Sequence, residues 1–288
     1  MSVFKAAAIQ MRSGMDPEKN AEAFEALVRE AASKGAIYVQ SPEMTGAVVR
    51  DAEARRTAFT TQDRDIIAAA AGRLARELGI FLHVGSTAIL RADGKLANRA
   101  LVFSPEGTAV AAYDKIHMFD VDLDNGESWR ESAAYEPGTE AVVAELPFAR
   151  LGLAICYDLR FPHLFRVQAL AGAAVLTVPA AFTRQTGQAH WHVLLRARAI
   201  ENGAFVIAAG QGGLHEDGRE TFGHSLIIDP WGAILAEAEH DEPGVIVAEI
   251  DTALSAAARK KIPNLKNARD FDAPSAARRD TSLREAAS

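Results

Sequence analysis

Two hydrophobic periods take turns along the chain. Phe4–Gln10 is a short apolar run that reads as a strand. Asp16–Pro17 then supplies a cap and a first helical residue, and Ala21, Phe24, Leu27, Val28 and Ala31 recur at helical spacing up to Gly35. A short strand is predicted over Ala36–Gln40 and a second helix over Asp65–Leu78. Three strand-like runs follow, Phe81–Leu90, Asn98–Phe103 and Thr108–Tyr113, with Asp93–Gly94 and Glu106–Gly107 as their turns. After a polar, irregular stretch, Asp114–Gly138, alternation resumes at Ala141–Glu145 and Leu151–Ile155.

The second half repeats the interleaving. A helix is predicted from Phe161 or Pro162, then strand Val175–Val178, then an amphipathic helix over Ala189–Asn202 stopped by Gly203. Strands Phe205–Ala209, Ser225–Asp229 and Ile234–Ala238 follow, with Asp229–Pro230–Trp231–Gly232 turning between the last two. Gly244–Ile250 and a helix from Asp251 come last. Helices and strands interleaved twice, with meanders between, predict an α/β layered architecture with a mixed sheet. No low-complexity linker divides the chain, so residues 1–270 are expected to form a single domain, with 271–288 a polar, Ala-rich tail that is flexible or lies on a partner.

Composition narrows the class. The 288 residues suffice for a large core, and a net charge of −7 without any basic run argues against nucleic acid as a partner. No apolar stretch is long enough to span a bilayer, and the N-terminus lacks the long apolar core of a signal peptide, so no membrane partner is expected. A single cysteine excludes an internal disulfide framework and fits a reducing compartment, which predicts a cytoplasmic protein.

That cysteine, Cys156, follows the alternating run Leu151–Ile155 and precedes a helix, at the rim of a sheet where a substrate can reach it. Taken alone, a lone thiol is more often a small buried hydrophobe. Glu43 and Lys115 also stand just past strand ends, where ligands bind in open α/β sheets. Each has a bland alternative: Glu43 as a cap or solvated acid, Lys115 as a surface partner of Asp114.

The segments SPEM, YDKIHMF and AICYDLRFP around these residues resemble, in the same order, the three signatures of the nitrilase (carbon–nitrogen hydrolase) superfamily. The stretch Pro179–Asn202 and the late hairpin Gly223–Gly232 resemble it too, so the likeness covers about Phe4–Pro263. It implies a four-layer αββα sandwich, and a homodimer or higher homo-oligomer joined through the helix after Cys156 and the helix from Ala189. It also implies cysteine-dependent hydrolysis of an amide of a small carboxylic acid, releasing ammonia through a thioester. Cys156 is then the nucleophile, Glu43 the base, with burial raising its pKa toward neutrality, and Lys115 the oxyanion partner, helped by the Tyr157 backbone N–H. Glu131 matches a further acidic position of the family and is preferred over Glu127. No metal or organic cofactor is expected. Phe182 and Thr183 are candidates for the acyl pocket, as is His190.

Within the superfamily the sequence looks nearest the branch holding deaminated glutathione amidase and omega-amidase. The segment MTGAVVR, Met44–Arg50, departs from that branch and leaves the substrate open. N-carbamoyl amino acid hydrolysis is an alternative. Nitrile hydrolysis is disfavoured because Tyr157 stands where such enzymes carry tryptophan. A catalytically silent interaction protein is the reading from another class, against which the joint presence of Glu43, Lys115, Cys156 and Glu131 argues.

Other patterns in the sequence carry less. Asp120, Asp122, Asp124 and Glu131 fall at calcium-loop spacing, but Asn125 occupies the position that needs glycine. The histidines show no zinc spacing, and His190 and His192 do not share a helix face. Arg160 is expected to pair with an acid and fix the cysteine turn. A role in binding a substrate carboxylate is its weaker reading.

Overall fold

The computed structural model describes residues 2–123, 126 and 128–272. In chain order its strands are β1 (Val3–Gln10), β2 (Tyr38–Gln40), β3 (Phe81–Leu90), β4 (Leu96–Phe103), β5 (Ala109–Asp114), β6 (Asp120–Asp122), β7 (Ser128–Arg130) and β8 (Val142–Glu145). They continue with β9 (Arg150–Leu153), β10 (Val175–Thr177), β11 (Phe205–Ala208), β12 (Gly212–Leu214), β13 (Glu220–Phe222), β14 (Leu226–Ile228), β15 (Ile234–Glu237) and β16 (Gly244–Asp251). The helices are α1 (Pro17–Ser33), α2 (Ala52–Ala58), α3 (Ile66–Leu78), α4 (Pro162–Leu170), α5 (Arg184–Asn202) and α6 (Thr252–Lys261).

Two six-stranded mixed sheets form the middle layers, in the orders β16-β1-β2-β3-β4-β5 and β15-β14-β11-β10-β9-β8. Each is built on three parallel strands, β1–β2–β3 in one and β9–β10–β11 in the other, flanked by antiparallel neighbours. Side-chain alternation makes the layers. Ala6 and Ala8 of β1 join the cluster shared with the second sheet, while Ala7 and Ile9 face the other way, into a core with Phe24 and Val28 of α1 and Leu74 of α3. On the second sheet, Leu164 and Phe165 of α4 and Trp191 and Leu195 of α5 close the stack. The result is the four-layer αββα arrangement that the resemblance implied. Strand β16 returns to pair with β1 along its whole length, from Val3↔Asp251 to Gln10↔Gly244.

Local departures from the sequence reading have physical causes. Helix α5 starts at Arg184, well before Ala189. Gly187 reads as a breaker, but a Cβ there would lie 2.4 Å from the Phe222 side chain, so glycine lets the helix approach β13 closely. The β12–β13 and β6–β7 hairpins and α2 were not anticipated; all are short and polar or Gly-containing. Asp16 caps α1 as expected, accepting from the Glu18 and Lys19 N–H groups. Among the described residues no helix is long and apolar enough to cross a membrane. Phe271 and Asp272 are exposed, and the rest of the expected tail lies outside the described residues.

Candidate active site

Three strands deliver the three residues that the motifs singled out. Glu43 follows the C-terminal end of β2, Lys115 that of β5 and Cys156 that of β9. The turn holding Glu43 is pinned from below by a bulge in β3 between Val84 and Thr87. Ser86 accepts the Met44 N–H through its hydroxyl at 2.9 Å and the Thr45 N–H through its carbonyl at 2.8 Å. Gly85 passes so close that a Cβ would lie 2.0 Å from the Ser41 carbonyl oxygen and 2.4 Å from Pro179. From the other side the Gln211 amide donates to the Glu43 and Met44 carbonyls at 3.1 and 3.3 Å. Met44 itself sits at φ +56, a left-handed conformation that a non-glycine residue adopts only when its surroundings hold it there.

The cysteine turn is held in the same over-determined way. Cys156 has φ +48 and opens a 3₁₀ turn that ends at Arg160. Its N–H donates to the Pro179 carbonyl at 2.9 Å. The fully buried Asp158 is the anchor. One carboxylate oxygen accepts from the Ile155 N–H (2.8 Å) and the Tyr113 hydroxyl (2.7 Å). The other accepts from the His117 N–H (3.1 Å) and lies 2.6 Å from its ring Nδ1.

The three side chains then meet. Lys115 Nζ donates to Glu43 Oε1 at 2.9 Å and to both oxygens of Glu131 at 3.0 and 2.9 Å. Asn98, on β4, bridges the same carboxylates, at 2.8 Å from Glu43 and 3.1 Å from Glu131. Glu43 Oε2 accepts the Ala181 N–H at 2.8 Å, and the Phe119 N–H donates to Glu131 at 2.6 Å. The Cys156 thiol lies close enough to Glu43 for the carboxylate's charge to bear on it. Glu43, Lys115 and Cys156 are all buried, and all line one cavity of about 230 Å³ with Glu131, Tyr157, Phe182 and Thr183.

Electrostatics decide which atom carries which proton. Burial works against ionising Glu43, but the Lys115 ammonium beside it outweighs burial, so its pKa is lowered rather than raised toward neutrality as expected. Lys115 is desolvated too, yet Glu131 and Glu43 hold its pKa well above the ordinary lysine value. For Cys156, burial and the Glu43 charge outweigh the pull of Lys115 and push the thiol well above its usual range. A thiolate would be a third anion facing one cation. The resting site is therefore a neutral thiol beside a carboxylate, with a buried ammonium alongside. Those are the parts that acyl transfer needs: a nucleophile, an acceptor for its proton and a cation for developing oxyanion charge.

The remaining candidates divide. Glu131 reaches the cluster, whereas Glu127 and Asp124 lie outside the described residues. Asp120 bonds Ser132 and Asp122 bonds Arg130, so neither points its charge at Glu131. His190 is exposed and absent from the cavity lining; its Nδ1 lies 3.3 Å from Arg160. Arg160 has no acid within ion-pair distance among the described residues and instead lies over the Tyr157 and Phe182 rings. Asp158, and not Arg160 as expected, anchors the cysteine turn, because a carboxylate inside the turn reaches the strand-end N–H directly. Asn98, Asp158 and Gln211 were missed as site residues. Asn98 had a visible signal, a polar residue at a buried position of an apolar strand, and Asp158 is an acid two residues from the cysteine.

Comparisons with known proteins extend this picture. Residues 5–260 match the family described as Carbon-nitrogen hydrolase. A Synechocystis protein named deaminated glutathione amidase is 39% identical over 271 residues, covering 93% of this chain and 98% of its own. The C. elegans NitFhit structure superposes with TM-score 0.87 at 33% identity, covering 93% of this chain; the chain spans 66% of that longer protein. An amidase from Nesterenkonia, carrying the acetamide moiety of fluoroacetamide on its active-site cysteine, gives TM-score 0.76 at 25% identity, over 92% of this chain and 94% of its own.

Proposed function

This chain belongs to the carbon–nitrogen hydrolase family, an amidase with cysteine-dependent chemistry, and on that premise we propose that Cys156, Glu43, Lys115 and Glu131 carry the reaction. The observation behind the assignment is the single buried cluster in which Lys115 Nζ contacts both carboxylates and Cys156 lines the same cavity. Cys156 Sγ attacks the amide carbonyl carbon as Glu43 takes its proton. The oxyanion is met by Lys115 and by the Tyr157 N–H, which lies in the first turn of the 3₁₀ segment where no intrahelical acceptor exists. Glu43 returns the proton to the departing nitrogen, so the C–N bond breaks and a thioester remains on Cys156. The leaving group is ammonia from a primary amide and an amine from a secondary one. Water, deprotonated by the same carboxylate, attacks the thioester; thiol and carboxylic acid are released. Glu131 and Asn98 position the ammonium, and no step needs a metal or organic cofactor.

The substrate is an amide of a small carboxylic acid, of the deaminated glutathione type for which the similar Synechocystis protein is named. Phe182 and Thr183, both buried and lining the cavity, form part of the acyl pocket. Residues 1–270 act as one catalytic unit, a reading supported by the β1–β16 pairing. Two copies pair through α4 and α5, on which Leu170 and Val193 are exposed at 59% and 68%. The setting is the cytoplasm, consistent with a catalytic free thiol.

The test is product release from a panel of ω-amides, deaminated glutathione, N-carbamoyl amino acids and nitriles, with Cys156→Ala as control. Turnover of amides that the control lacks supports the reading. Inactivity on every member, or equal activity of the control, contradicts it.

A further inference from the structure

The mouth of the cavity gathers guanidinium groups that the chemistry above does not use. Arg50, Arg55, Arg130 and Arg219 all line it. Arg130 is committed to Asp122, at 2.9 Å to each carboxylate oxygen. Among the described residues, Arg50, Arg55 and Arg219 have no carboxylate within ion-pair distance. They arrive from separate segments: Arg50 from the loop after Glu43, Arg55 from α2, and Arg219 from the turn between β12 and β13.

Two of the three lie over one aromatic ring. The guanidinium carbons of Arg50 and Arg219 lie 4.6 and 4.4 Å from the centroid of the Trp129 ring. Stacking fixes the plane of a guanidinium and leaves its N–H edge free to fork onto an anion. Arg50 spends only one long contact, 3.4 Å to the Ser128 carbonyl. The Nε of Arg219 is buried and has no hydrogen-bond partner. Arg55 and Arg219 line the cavity together with Tyr135. At the inner end the charge of Lys115 is already balanced by Glu43 and Glu131, so the cluster there holds no excess positive charge for a substrate carboxylate.

An arginine stacked on a half-buried tryptophan is common and by itself stabilises a surface only slightly. Three guanidiniums on one cavity, none with a carboxylate partner among the described residues, in a chain of net charge −7, are a different matter. Burying or crowding like charges is unfavourable unless an anion joins them, and a cleft concentrates their field on whatever enters. We propose that Arg50, Arg219 and Arg55 bind a carboxylate on the substrate, remote from the amide that Cys156 attacks. The departing segment Met44–Arg50 is then a specificity element, because it carries Arg50 to the mouth. The inference rests on the amidase reading and adds the placement of the substrate's charge.

The experiment uses a ladder of monoamides of linear dicarboxylic acids, from succinamate to suberamate, each paired with the neutral alkyl amide of the same chain. The quantity read is the ratio of kcat/KM for the acid to kcat/KM for its neutral partner. In the unsubstituted enzyme the ratio favours the acid and peaks at one chain length. In Arg219→Gln, and further in Arg50→Gln/Arg219→Gln, it falls about tenfold to hundredfold, the loss expected of a charge-assisted hydrogen bond. A general folding defect cancels in the ratio. An unchanged ratio with amides still turned over overturns the arginine assignment alone. No turnover of any amide, with no acyl adduct at Cys156, overturns the amidase reading beneath it.

Discussion

Lys115 Nζ stands 2.9 Å from Glu43 Oε1, and both side chains are almost wholly shielded from solvent. That contact keeps the base anionic inside an apolar wall, and it does so only because Glu131 and Asn98 hold the ammonium in place. Removing the cation leaves two carboxylates facing each other without compensation. Lys115→Met is expected to abolish turnover and to destabilise the fold by about 3–5 kcal/mol, as breaking a buried ion pair does. Chemical denaturation checks it. The double variant Lys115→Met/Glu131→Gln should recover part of the stability and none of the activity.

Glu43→Gln keeps the shape of the turn and removes the proton acceptor. Turnover should fall by about 10²–10⁴. The single amide oxygen keeps the donors on one side, Ala181 or Asn98 with Lys115, and loses those on the other, so a thermal melt beside the steady-state kinetics separates the stability cost from the loss of the base.

The pH dependence has a defined sign. Glu43 is held below its ordinary value of 4.5 by Lys115, against the opposing effect of burial. A carboxylate whose folded pKa is depressed contributes stability that is present above the unfolded value and lost as pH falls through the folded one. Activity through Glu43 as base should follow the same limb. The kcat/KM profile is expected to show no descending acid limb at or above pH 4.5, with inactivation and loss of stability setting in together below it. A kinetic acid limb near neutrality would contradict an anionic resting Glu43.

Asp158 should matter as much to stability as to chemistry. Asp158→Asn turns an amide N–H₂ toward donors that now converge on a carboxylate oxygen, at a cost of about 1–3 kcal/mol for each one left unsatisfied. Cys156 would lose its fixed approach, so kcat should fall more than KM rises. Retained kcat in a destabilised but folded variant would show that the turn does not depend on this anchor.

The layered fold and the strand-end positions of Glu43, Lys115 and Cys156 were legible because each depends on a local period followed by a polar break. Their convergence was not local. The bridging role of Asn98 depends on β4 lying between β3 and β5, and the contact of Gln211 with the Glu43 turn joins residues from opposite sheets. The true start of α5 was hidden because Gly187 serves a tertiary contact, which local propensity counts against a helix. His190 was expected at the pocket, but α5 starts at Arg184 and leaves it exposed beside Arg160, outside the cavity lining. The expectation for Glu43 went astray in sign because burial was weighed without the ammonium that the fold buries beside it.

Gly85→Ala tests how tightly the two strand ends are packed. Its Cβ would overlap the Ser41 carbonyl and Pro179, so the Glu43 turn must shift. Reduced activity with a melting temperature several degrees lower is expected from overpacking of about 1–3 kcal/mol.

The central claim is a covalent acyl intermediate on Cys156. Rapid acid quenching during turnover of an amide substrate, followed by peptide mass spectrometry, tests it most directly. The account predicts the mass of the acyl group, as a thioester, on the peptide containing Cys156 and its absence from Cys156→Ala. Turnover without any acyl mass at Cys156, or turnover by Cys156→Ala, would contradict it.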